Sequence, residues 1–336
     1  MFYLETGSTD PYYNLAFEEV VLLRRTKGDY FILWQNDNTI VVGLNQNTEA
    51  EINSAFVAAH DIRVIRRSTG GGAVYHDLGN LNYSFLTDVK DAGERHATAF
   101  TEPVVAALRN LGLAAEASGR NDILVEGKKV SGTAQRMVKE RILHHGTLLF
   151  DSDASLVEGA LRADPAKLSG KGVKSVRRRI GNIRDFLRAA GKDMELTDFW
   201  RYLIDFMQER SGLVRESLGA EELAEVENLR QIKYNTWEWN FGRSPVATMT
   251  RSRRFDGGSM EIRAQIEKGI VRDIRFYGDF LSLRPLTELE EALKGIRFTA
   301  EEVSAVMEHF APGEMFGGIT KEEVQALLFS SPEDTG

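Results

Sequence analysis

The residues best suited to chemistry form one stretch, Arg66 to Phe85, in which two arginines precede the three glycines Gly70 to Gly72. Guanidinium groups suit carboxylates and phosphates. Glycines let main-chain N–H groups approach a ligand closely, and successive N–H groups in such a turn can form an anion-binding concavity. The stretch therefore predicts a loop that binds an acid or a phosphate. A flexible turn with solvated charges is the alternative interpretation.

This stretch matches neither of the two common nucleotide-binding loops. It lacks the G-x-x-x-x-G-K-[ST] pattern, and a G-x-G-x-x-G loop would need to open a dinucleotide-binding βαβ unit. Residues with strand propensity follow instead, at Val74-Tyr75 and from Leu81 to Phe85. We therefore expect the loop to lie between two strands.

Composition limits the function classes. The net charge of −8 argues against nonspecific binding of nucleic acid, so a small anionic ligand is the better interpretation. No segment has the pattern of a signal peptide or the run of about 18 apolar residues that a membrane span needs, so we expect a soluble, cytoplasmic protein. The chain has no cysteine, which excludes disulfides, thiolate zinc sites and every mechanism that passes through a cysteine thioester.

Strands and helices in mixed order must position the loop. Tyr30 to Trp34 and Thr39 to Gly43 are rich in strand-forming residues and are separated by Asn36-Asp37-Asn38, which predicts a hairpin. Four short strands are predicted between Ala114 and Phe150, two of them joined by a tight turn at Gly127-Lys128. Helices separate these strands irregularly, which is compatible with an α+β fold.

The chain length of 336 residues suggests about two domains. The aromatic cluster Trp237 to Gly242 is typical of a structural anchor at a domain boundary. Beyond it, a pair of alternating strands and three helices centred near residues 290, 304 and 324 predict a small α+β domain. Residues 168–179 mix small residues with cations and lack periodicity, which predicts a basic surface loop.

The sequence resembles the lipoate–protein ligases. Residues Arg66 to Asn80 carry the unbroken pattern R-R-x-[ST]-G-G-G-A-V-[YF]-H-D-x-G-N. Other landmarks of the family occur in the same order: Glu116 to Asp122, Lys129 to Ala134, His144 to Leu149, Lys171 to Val176 and Trp237 to Gly242. The resemblance therefore covers nearly the whole chain.

The resemblance implies a fold and an activity. The fold is a biotin/lipoate protein ligase-type catalytic domain, a mixed sheet with flanking helices over residues 1–245, followed by a small α+β accessory domain over residues 253–336. The implied reaction uses ATP and Mg²⁺ to convert lipoate to lipoyl-AMP. The lipoyl group then passes to a lysine of an apo lipoyl domain, in the E2 subunits of 2-oxoacid dehydrogenases, or of the glycine-cleavage H protein, as in lipoate salvage.

Lys129 is implied to be the catalytic residue, because it matches the family lysine that contacts both the adenylate and the lipoyl carbonyl. Asp122 is the implied Mg²⁺ ligand, although Asn121 and Asp122 also suit an Asx turn. For His145, a core histidine is the structural alternative. The residues implied to bind ATP or lipoate are Arg67, Gly72, Ala73, Val74, Tyr75, Asn121, Asp122, Lys129, Ser131, Ala134, His145, Thr147, Lys171, Gly172 and Val173.

Three other functions share parts of this pattern. An octanoyl or lipoyl transferase of the same fold would use a cysteine nucleophile, and the chain has none. A biotin ligase would carry a different glycine–arginine loop. A non-enzymatic lipoate- or nucleotide-binding scaffold remains open, although Arg67, Asp122 and Lys129 argue against it. The sequence distinguishes neither lipoate from octanoate nor one acceptor protein from another.

Overall fold

The computed structural model describes residues 1–89, 97–119, 121–161, 180–241, 249–267 and 269–329. The strands are β1 (Phe2–Glu5), β2 (Tyr30–Trp34), β3 (Thr39–Val42), β4 (Arg63–Arg66), β5 (Val74–His76), β6 (Asn80–Asp88), β7 (Ala115–Ser118), β8 (Asp122–Val125), β9 (Lys128–Val138), β10 (Arg141–Leu149), β11 (Val214–Arg215), β12 (Met249–Phe255), β13 (Gly258–Glu267) and β14 (Ile270–Gly278). The predicted α+β class is confirmed.

Helices surround these strands. They are α1 (Pro11–Arg24), α2 (Thr48–Glu51), α3 (Ser54–Ala59), α4 (Ala97–Asn110), α5 (Ala154–Ala160), α6 (Ile183–Ala189), α7 (Leu196–Ser211), α8 (Ala220–Leu229), α9 (Trp237–Asn240), α10 (Thr287–Ala292), α11 (Ala300–Met307), α12 (Pro312–Met315) and α13 (Lys321–Phe329). A π-helical turn, Arg230–Tyr234, continues α8. None of the helices in the described ranges is long and apolar enough to cross a membrane.

The chain packs into two compact units. The first comprises Met1–Val41, Asn53–Ile65 and Val74–Asn235. The second comprises Val42–Ile52, Arg66–Ala73 and Thr236–Gly336, so it joins three separate pieces of the chain. The boundary expected between residues 245 and 253 remains a prediction, since residues 242–248 lie outside the described ranges.

The first unit is built on an eight-stranded mixed sheet with the order β11-β1-β2-β6-β10-β9-β8-β7. Strand β1 runs parallel to β2 and β11, and the other pairs are antiparallel. Side chains alternate between the two faces of a sheet. Leu81, Tyr83 and Phe85 therefore share one face, where they enter the core with α4 and α7. Helix α1 lies against the other face, through Glu18 and Glu19.

The hairpin expected from Tyr30 to Gly43 is wrong, although both strands exist. Strand β2 pairs with β1 and β6, whereas β3 pairs antiparallel with β5 in a separate sheet. The reason lies in the intervening residues: Asn36 is fully buried and bonds to Asn14 and to His76. These internal partners direct the chain out of the first sheet instead of closing a tight turn.

Two local predictions about turns hold. The glycine loop lies between strands β4 and β5, as its flanking residues indicated. Strands β8 and β9 are joined by a two-residue turn whose central residues, Glu126 and Gly127, have positive φ values of 50° and 75°. Positive φ at both positions is the requirement of a type I′ hairpin turn. The turn is centred one residue earlier than expected.

The C-terminal part of the second unit has its own core. Strands β12, β13 and β14 form an antiparallel sheet, and the buried residues Met260, Ile262 and Ala264 of β13 alternate with partly exposed ones. Helices α10, α11 and α13 occupy the three predicted positions and contribute to the same hydrophobic cluster. The predicted small α+β arrangement in this region is confirmed.

Candidate active site

A lysine and an aspartate from neighbouring strands form an ion pair in the first unit. Lys129 Nζ lies 2.7 Å from Asp122 Oδ1, and each side chain is about one third exposed, at 36% and 33%. A register shift puts Lys129 on this face: Ile123 lies opposite Ser131, but Leu124 lies opposite Lys129. Such a bulge adds one residue to a strand and redirects its side chains. Without it, alternation would place Lys129 on the face opposite Asp122.

Gly132 leaves space for the head of this lysine. A Cβ atom at Gly132 would lie 3.0 Å from both Cε and Nζ of Lys129, so any larger residue would displace the ammonium group. The amide of Gly132 also donates to Thr147 Oγ1 at 3.2 Å, which links β9 to β10. The position of the Lys129 side chain therefore requires glycine at residue 132.

Asn121 fixes the entrance of β8. Its side-chain amide donates to Thr133 O at 3.1 Å, and its own carbonyl accepts from Thr133 N at 2.8 Å. These contacts join Asn121 to the neighbouring strand β9, so they differ from an Asx turn, in which the side chain bonds to its own backbone two residues on. The expected contact of Asn121 with ATP or metal remains a prediction.

The expected binding residues on β9 and β10 divide between the two faces of the sheet. Ala134 lies opposite His145, and Gly146 lies opposite Thr133. By alternation, Ala134, His145 and Thr147 share the face of Gly132, whereas the Ser131 side chain, which is fully buried, points to the other face. The structure thus brings together Asp122, Lys129, Ala134, His145 and Thr147, and only main-chain atoms of Ser131 belong to that face.

Sequence reasoning missed Asn82. It lies opposite Thr147 in β6 and is 1% exposed, and its Nδ2 has no hydrogen-bond partner among the described residues. Its Oδ1 accepts from Asn80 Nδ2 at 3.0 Å. A buried amide that keeps donor capacity beside a candidate site is a potential ligand contact. Two asparagines at alternate positions near the start of the strand, where they alternate with Leu81 and Tyr83, were the available signal.

His145 belongs to a buried polar network. Its Nδ1 lies 2.9 Å from Glu18 Oε1, which also accepts from Ser84 Oγ at 2.6 Å. Trp34 Nε1 donates to Ser84 Oγ at 2.9 Å. A carboxylate acceptor places the proton of His145 on Nδ1. The core role considered for His145 therefore has direct support, while its contact with lipoate remains a prediction.

The adjacent His144 has a different environment, because it points to the opposite face. It is fully buried and its ring stacks on Phe100 at 5.1 Å. Burial and, to a lesser extent, the neighbouring His145 together lower the pKa of His144 to about 3. His144 is therefore a neutral core residue.

Arg67 folds over its own loop. Its Nη2 donates to the carbonyl oxygens of Gly70 at 2.6 Å and Gly72 at 2.9 Å, and its Nε donates to Thr69 Oγ1 at 2.9 Å. The side chain is buried, with a residue exposure of 6%. These bonds organise the glycine loop. The ATP contact expected of Arg67, Gly72 and Ala73 remains a prediction.

Arg66, the other arginine of the pair, is a structural residue and is 1% exposed. Its guanidinium donates to the carbonyl oxygens of Gly43, Leu44, Gln46, Trp239 and Asn240 and to the hydroxyl of Thr48, at distances of 2.6 to 3.2 Å. Carbonyl groups of buried loops need such donors. The aromatic cluster is thus a structural anchor, as predicted, because the carbonyl groups of Trp239 and Asn240 bind the guanidinium of Arg66.

Val74 and Tyr75 lie in β5, opposite Val41 and Ile40. The Tyr75 hydroxyl donates to Asn38 Oδ1 at 2.9 Å, and burial raises the pKa of Tyr75 to about 12, so this phenol is neutral. His76 pairs through Nδ1 with the buried Asn36 at 3.1 Å, so it has a structural partner within the protein. The lipoyl contacts of Val74 and Tyr75 remain predictions.

Some expected residues cannot be placed. Lys171, Gly172 and Val173, together with the basic loop at 168–179, lie outside the described residues. Within the described ranges no group of three His, Cys, Asp or Glu side chains could hold a metal ion. A single carboxylate such as Asp122 nevertheless suits Mg²⁺, which is commonly held by one or two carboxylates together with substrate phosphates.

A mixed sheet with flanking helices, carrying these motifs on β5 and β8 to β10, defines a biotin/lipoate ligase-type fold. The sequence profile of the Lipoyl protein ligase A/B catalytic domain matches residues 10–208, and that of the Bacterial lipoate protein ligase C-terminus matches residues 244–328. The chain belongs to the lipoate–protein ligase family.

Two curated relatives match almost end to end. Lipoate–protein ligase 1 of Staphylococcus aureus (strain Mu50) is 39% identical, with 95% of this chain and 97% of the relative covered. Lipoate-protein ligase LplJ of Bacillus subtilis (strain 168) is 40% identical, with the same shares covered.

Solved structures agree on the fold. P. falciparum LipL1 in complex with lipoate has a TM-score of 0.78 at 23% identity, covering 92% of this chain and 94% of that one. A structure from the analysis of a bipartite lipoate protein ligase and its E2 lipoyl domain from Thermoplasma acidophilum has a TM-score of 0.63 at 28% identity, covering 74% of this chain and 98% of that one. Lipoate-protein ligase A bound with ATP has a TM-score of 0.61 at 29% identity, covering 72% of this chain and 97% of that one.

Proposed function

We propose that the protein is an ATP-dependent lipoate–protein ligase that forms lipoyl-AMP and transfers the lipoyl group to a lysine of an apo lipoyl domain. The observation that carries the proposal is the ion pair between Lys129 and Asp122, two residues of the family's motifs. A strand bulge brings both side chains to one face, and Gly132 leaves space for the ammonium group. The chain's similarity to curated lipoate–protein ligases over 95% of its length supports the same conclusion.

The first step brings two anions together, the lipoate carboxylate and the ATP triphosphate. A carboxylate oxygen attacks the α-phosphorus, the bond from that phosphorus to the bridging oxygen breaks, and pyrophosphate leaves. Negative charge grows on the phosphoryl oxygens, so a fixed cation stabilises the transition state more than the ground state. Lys129 supplies that charge. A related ligase solved with ATP supports a nucleotide as the other reactant.

Lys129 is already paired with Asp122, which places its ammonium group beside this carboxylate. Mg²⁺ bound with ATP would neutralise phosphate charge, and Asp122 is the residue that would hold it. Sharing the charge of Asp122 with the metal would weaken its attraction for Lys129. Lys129 would then be available to the phosphate and to the lipoyl carbonyl.

In the second step, an acceptor lysine amine attacks the lipoyl carbonyl and AMP leaves. Lys129 can stabilise the oxyanion of that tetrahedral intermediate as well. The chain has no cysteine, so the acyl group passes directly from the adenylate to the amine. The related bipartite ligase of Thermoplasma acidophilum, which belongs to a lipoylation system together with its E2 lipoyl domain, supports a lipoyl domain as the acceptor. The H protein is proposed as a further acceptor on the family resemblance alone.

The direct test is a reconstituted reaction. We expect purified protein with ATP, Mg²⁺, lipoate and an apo lipoyl domain to give one lipoyl mass increment on the acceptor and to release pyrophosphate. Octanoate in place of lipoate measures acyl preference in the same assay. An unmodified acceptor in the presence of folded protein would reject the ligase and leave the binding-scaffold alternative.

Replacing Asp122 by asparagine tests its assignment as the Mg²⁺ ligand. We expect the Mg²⁺ concentration for half-maximal activity to rise about tenfold or more, since perturbing a metal site typically costs about 10–100-fold in affinity. Glu116→Gln is the matched control, because Glu116 is an exposed carboxylate on the neighbouring strand β7. Equal Mg²⁺ dependence in Asp122→Asn and the wild type would contradict the assignment.

A further inference from the structure

The glycine loop packs against a distant segment of the second unit, Gly278 to Ser282. The amide of Gly71 donates to Phe280 O at 3.1 Å. Asn45 Nδ2 donates to Ser282 Oγ at 2.9 Å, and the amide of Gly278 donates to Asn45 O at 2.7 Å. This segment follows β14 in the C-terminal part of the chain, so the loop is held by residues outside the usual limits of its motif.

The three positions of the loop are occupied by glycine for different structural reasons. A Cβ atom at Gly70 would lie 2.6 Å from Ser282 N and 2.8 Å from Ser282 Oγ, so Gly70 is required by close packing. Gly71 has a φ of 89°, in the left-handed region that favours glycine. At Gly72 the nearest such atom would be Asp279 Cβ at 3.8 Å, an ordinary contact. Two glycines therefore serve packing and backbone shape, and Gly72 leaves room for a ligand.

Ser282 is buried, with a residue exposure of 3%, and its hydroxyl is the acceptor that Asn45 uses. Asn45 lies just after β3, and the amide of the adjacent Leu44 donates to Thr69 O at 2.8 Å. Ser282 thus contacts the loop in two ways, directly at Gly70 and indirectly through the segment that contains Asn45. Buried hydrogen bonds of this kind specify one arrangement of the backbone.

We propose that Ser282 is a positioning residue for ATP binding. It fixes the glycine loop so that the main-chain N–H groups of Gly72 and Ala73 are preorganised for nucleotide phosphates. The inference rests on the proposed function, since it requires the loop to bind ATP. Part of the affinity for ATP then depends on residues in the C-terminal part of the chain.

Preorganisation predicts a selective effect on one substrate. Replacing Ser282 by alanine removes one buried hydrogen bond and leaves Asn45 Nδ2 without this acceptor, which typically corresponds to about a tenfold change in an equilibrium constant. We expect the Kd of ATP and the KM for ATP to rise about tenfold. The kcat at saturating ATP should change less than about twofold, because ATP already occupies its site under this condition. The rate of lipoyl transfer from preformed lipoyl-AMP should also change less than about twofold, because this step does not use ATP.

The control is Ser259→Ala. Ser259 also lies in the second unit and its hydroxyl accepts from Arg254 at 3.0 Å, but on the exposed surface. Asn45→Ala is the second variant, and the double variant closes a thermodynamic cycle with Ser282→Ala. Because both side chains share one hydrogen bond, their effects on the Kd of ATP should be less than additive. Titration calorimetry with ATP and Mg²⁺ measures binding, and hydrogen exchange of residues 69–73 measures loop order.

The outcomes separate this inference from the proposed function. A wild-type protein that binds no ATP and modifies no acceptor rejects the function itself. An active wild type with an unchanged Kd of ATP in folded Ser282→Ala rejects the positioning role alone. An equal rise in Ser259→Ala, or an equal loss in transfer from lipoyl-AMP, also rejects it. A raised Kd together with faster exchange of residues 69–73 supports it.

Discussion

Replacing Lys129 by alanine is expected to lower the rate of acceptor lipoylation about 10²–10³-fold, the usual cost of losing one preorganised group that stabilises a developing oxyanion. The structure gives two reasons to expect a large effect. A strand bulge brings Lys129 to the face of Asp122, and Gly132 leaves space for the ammonium group beside that carboxylate. The measurement is the initial rate of mass change on the acceptor at saturating ATP and lipoate.

Lys128 provides the matched control for this variant. It carries the same charge one residue earlier, but it lies exposed at the start of β9, next to the turn. Lys128→Ala should retain a rate within about twofold of wild type, since exposed charges away from a site have small effects. Near-normal turnover by Lys129→Ala, or an equal loss in both variants, would reject the proposed role of Lys129.

The two half-reactions add a sharper criterion. Pyrophosphate release reports the first step, and transfer from preformed lipoyl-AMP reports the second. If Lys129 stabilises negative charge in both transition states, both rates should fall in the alanine variant. A loss confined to pyrophosphate release would limit Lys129 to the ATP side of the chemistry and contradict its contact with the lipoyl carbonyl.

The sequence predicted the parts of the fold that depend on local patterns. The strand from Leu81 to Phe85 and the turn before Lys128 are both set by residues close in sequence. The hairpin from β2 to β3 failed for a non-local reason. Asn36 bonds to Asn14 and His76, and no pattern within the segment reveals partners that are so distant.

The candidate site shows the same limit. The motifs identified Lys129 and Asp122, but not the bulge that brings them to one face, because a register shift depends on both strands. The arginine pair looked like two anion-binding groups. In the structure Arg66 binds six protein oxygens, which lie in residues 43–48 and in Trp239 and Asn240. Which of two adjacent arginines is structural depends on segments that the motif does not contain.

Buried acids on α1 were the largest omission, and Glu19 carries the strongest expected effect on stability. Its carboxylate accepts from Arg136 at 2.7 Å, from Lys233 at 2.6 Å and from the Tyr234 hydroxyl at 2.6 Å, and the residue is 4% exposed. The Glu18-Glu19 pair within an apolar helical pattern was the only local signal. The three partners come from β9 and from the π-helical turn after α8, so the network ties α1 to both elements.

The pH dependence of stability follows from the pKa of Glu19. Burial raises this pKa, but the charges of Lys233 and Arg136 outweigh burial and lower it to about 2. A carboxyl group whose folded pKa lies below its unfolded value stabilises the fold fully above the unfolded pKa, and this contribution is lost as pH falls. The free energy of unfolding of the wild type should therefore decrease between about pH 4.5 and pH 2 through this group.

Glu19→Gln should lower the free energy of unfolding at neutral pH by about 3 kcal/mol, because removing one partner of a buried ion pair leaves the desolvation cost of the others uncompensated. Burial already lowers the pKa of Lys233, more than Glu19 raises it, so the variant should make this lysine easier to deprotonate. Chemical denaturation at pH 7 and at pH 3 measures both effects. The difference between the two proteins should shrink at pH 3, where the wild-type carboxylate contributes less.

The control for this experiment is Glu225→Gln. Glu225 pairs with Arg24 at the surface, where the arginine side chain is 62% exposed, and such pairs contribute about 0–1 kcal/mol. A loss in Glu19→Gln no larger than in Glu225→Gln would show that the buried network does not hold α1 to the sheet. The same helix supplies Glu18 to His145, so a loosened α1 should also disturb the face that carries Ala134, His145 and Thr147. A fall in activity that tracks the fraction of folded protein would mean that Glu19 acts only through stability.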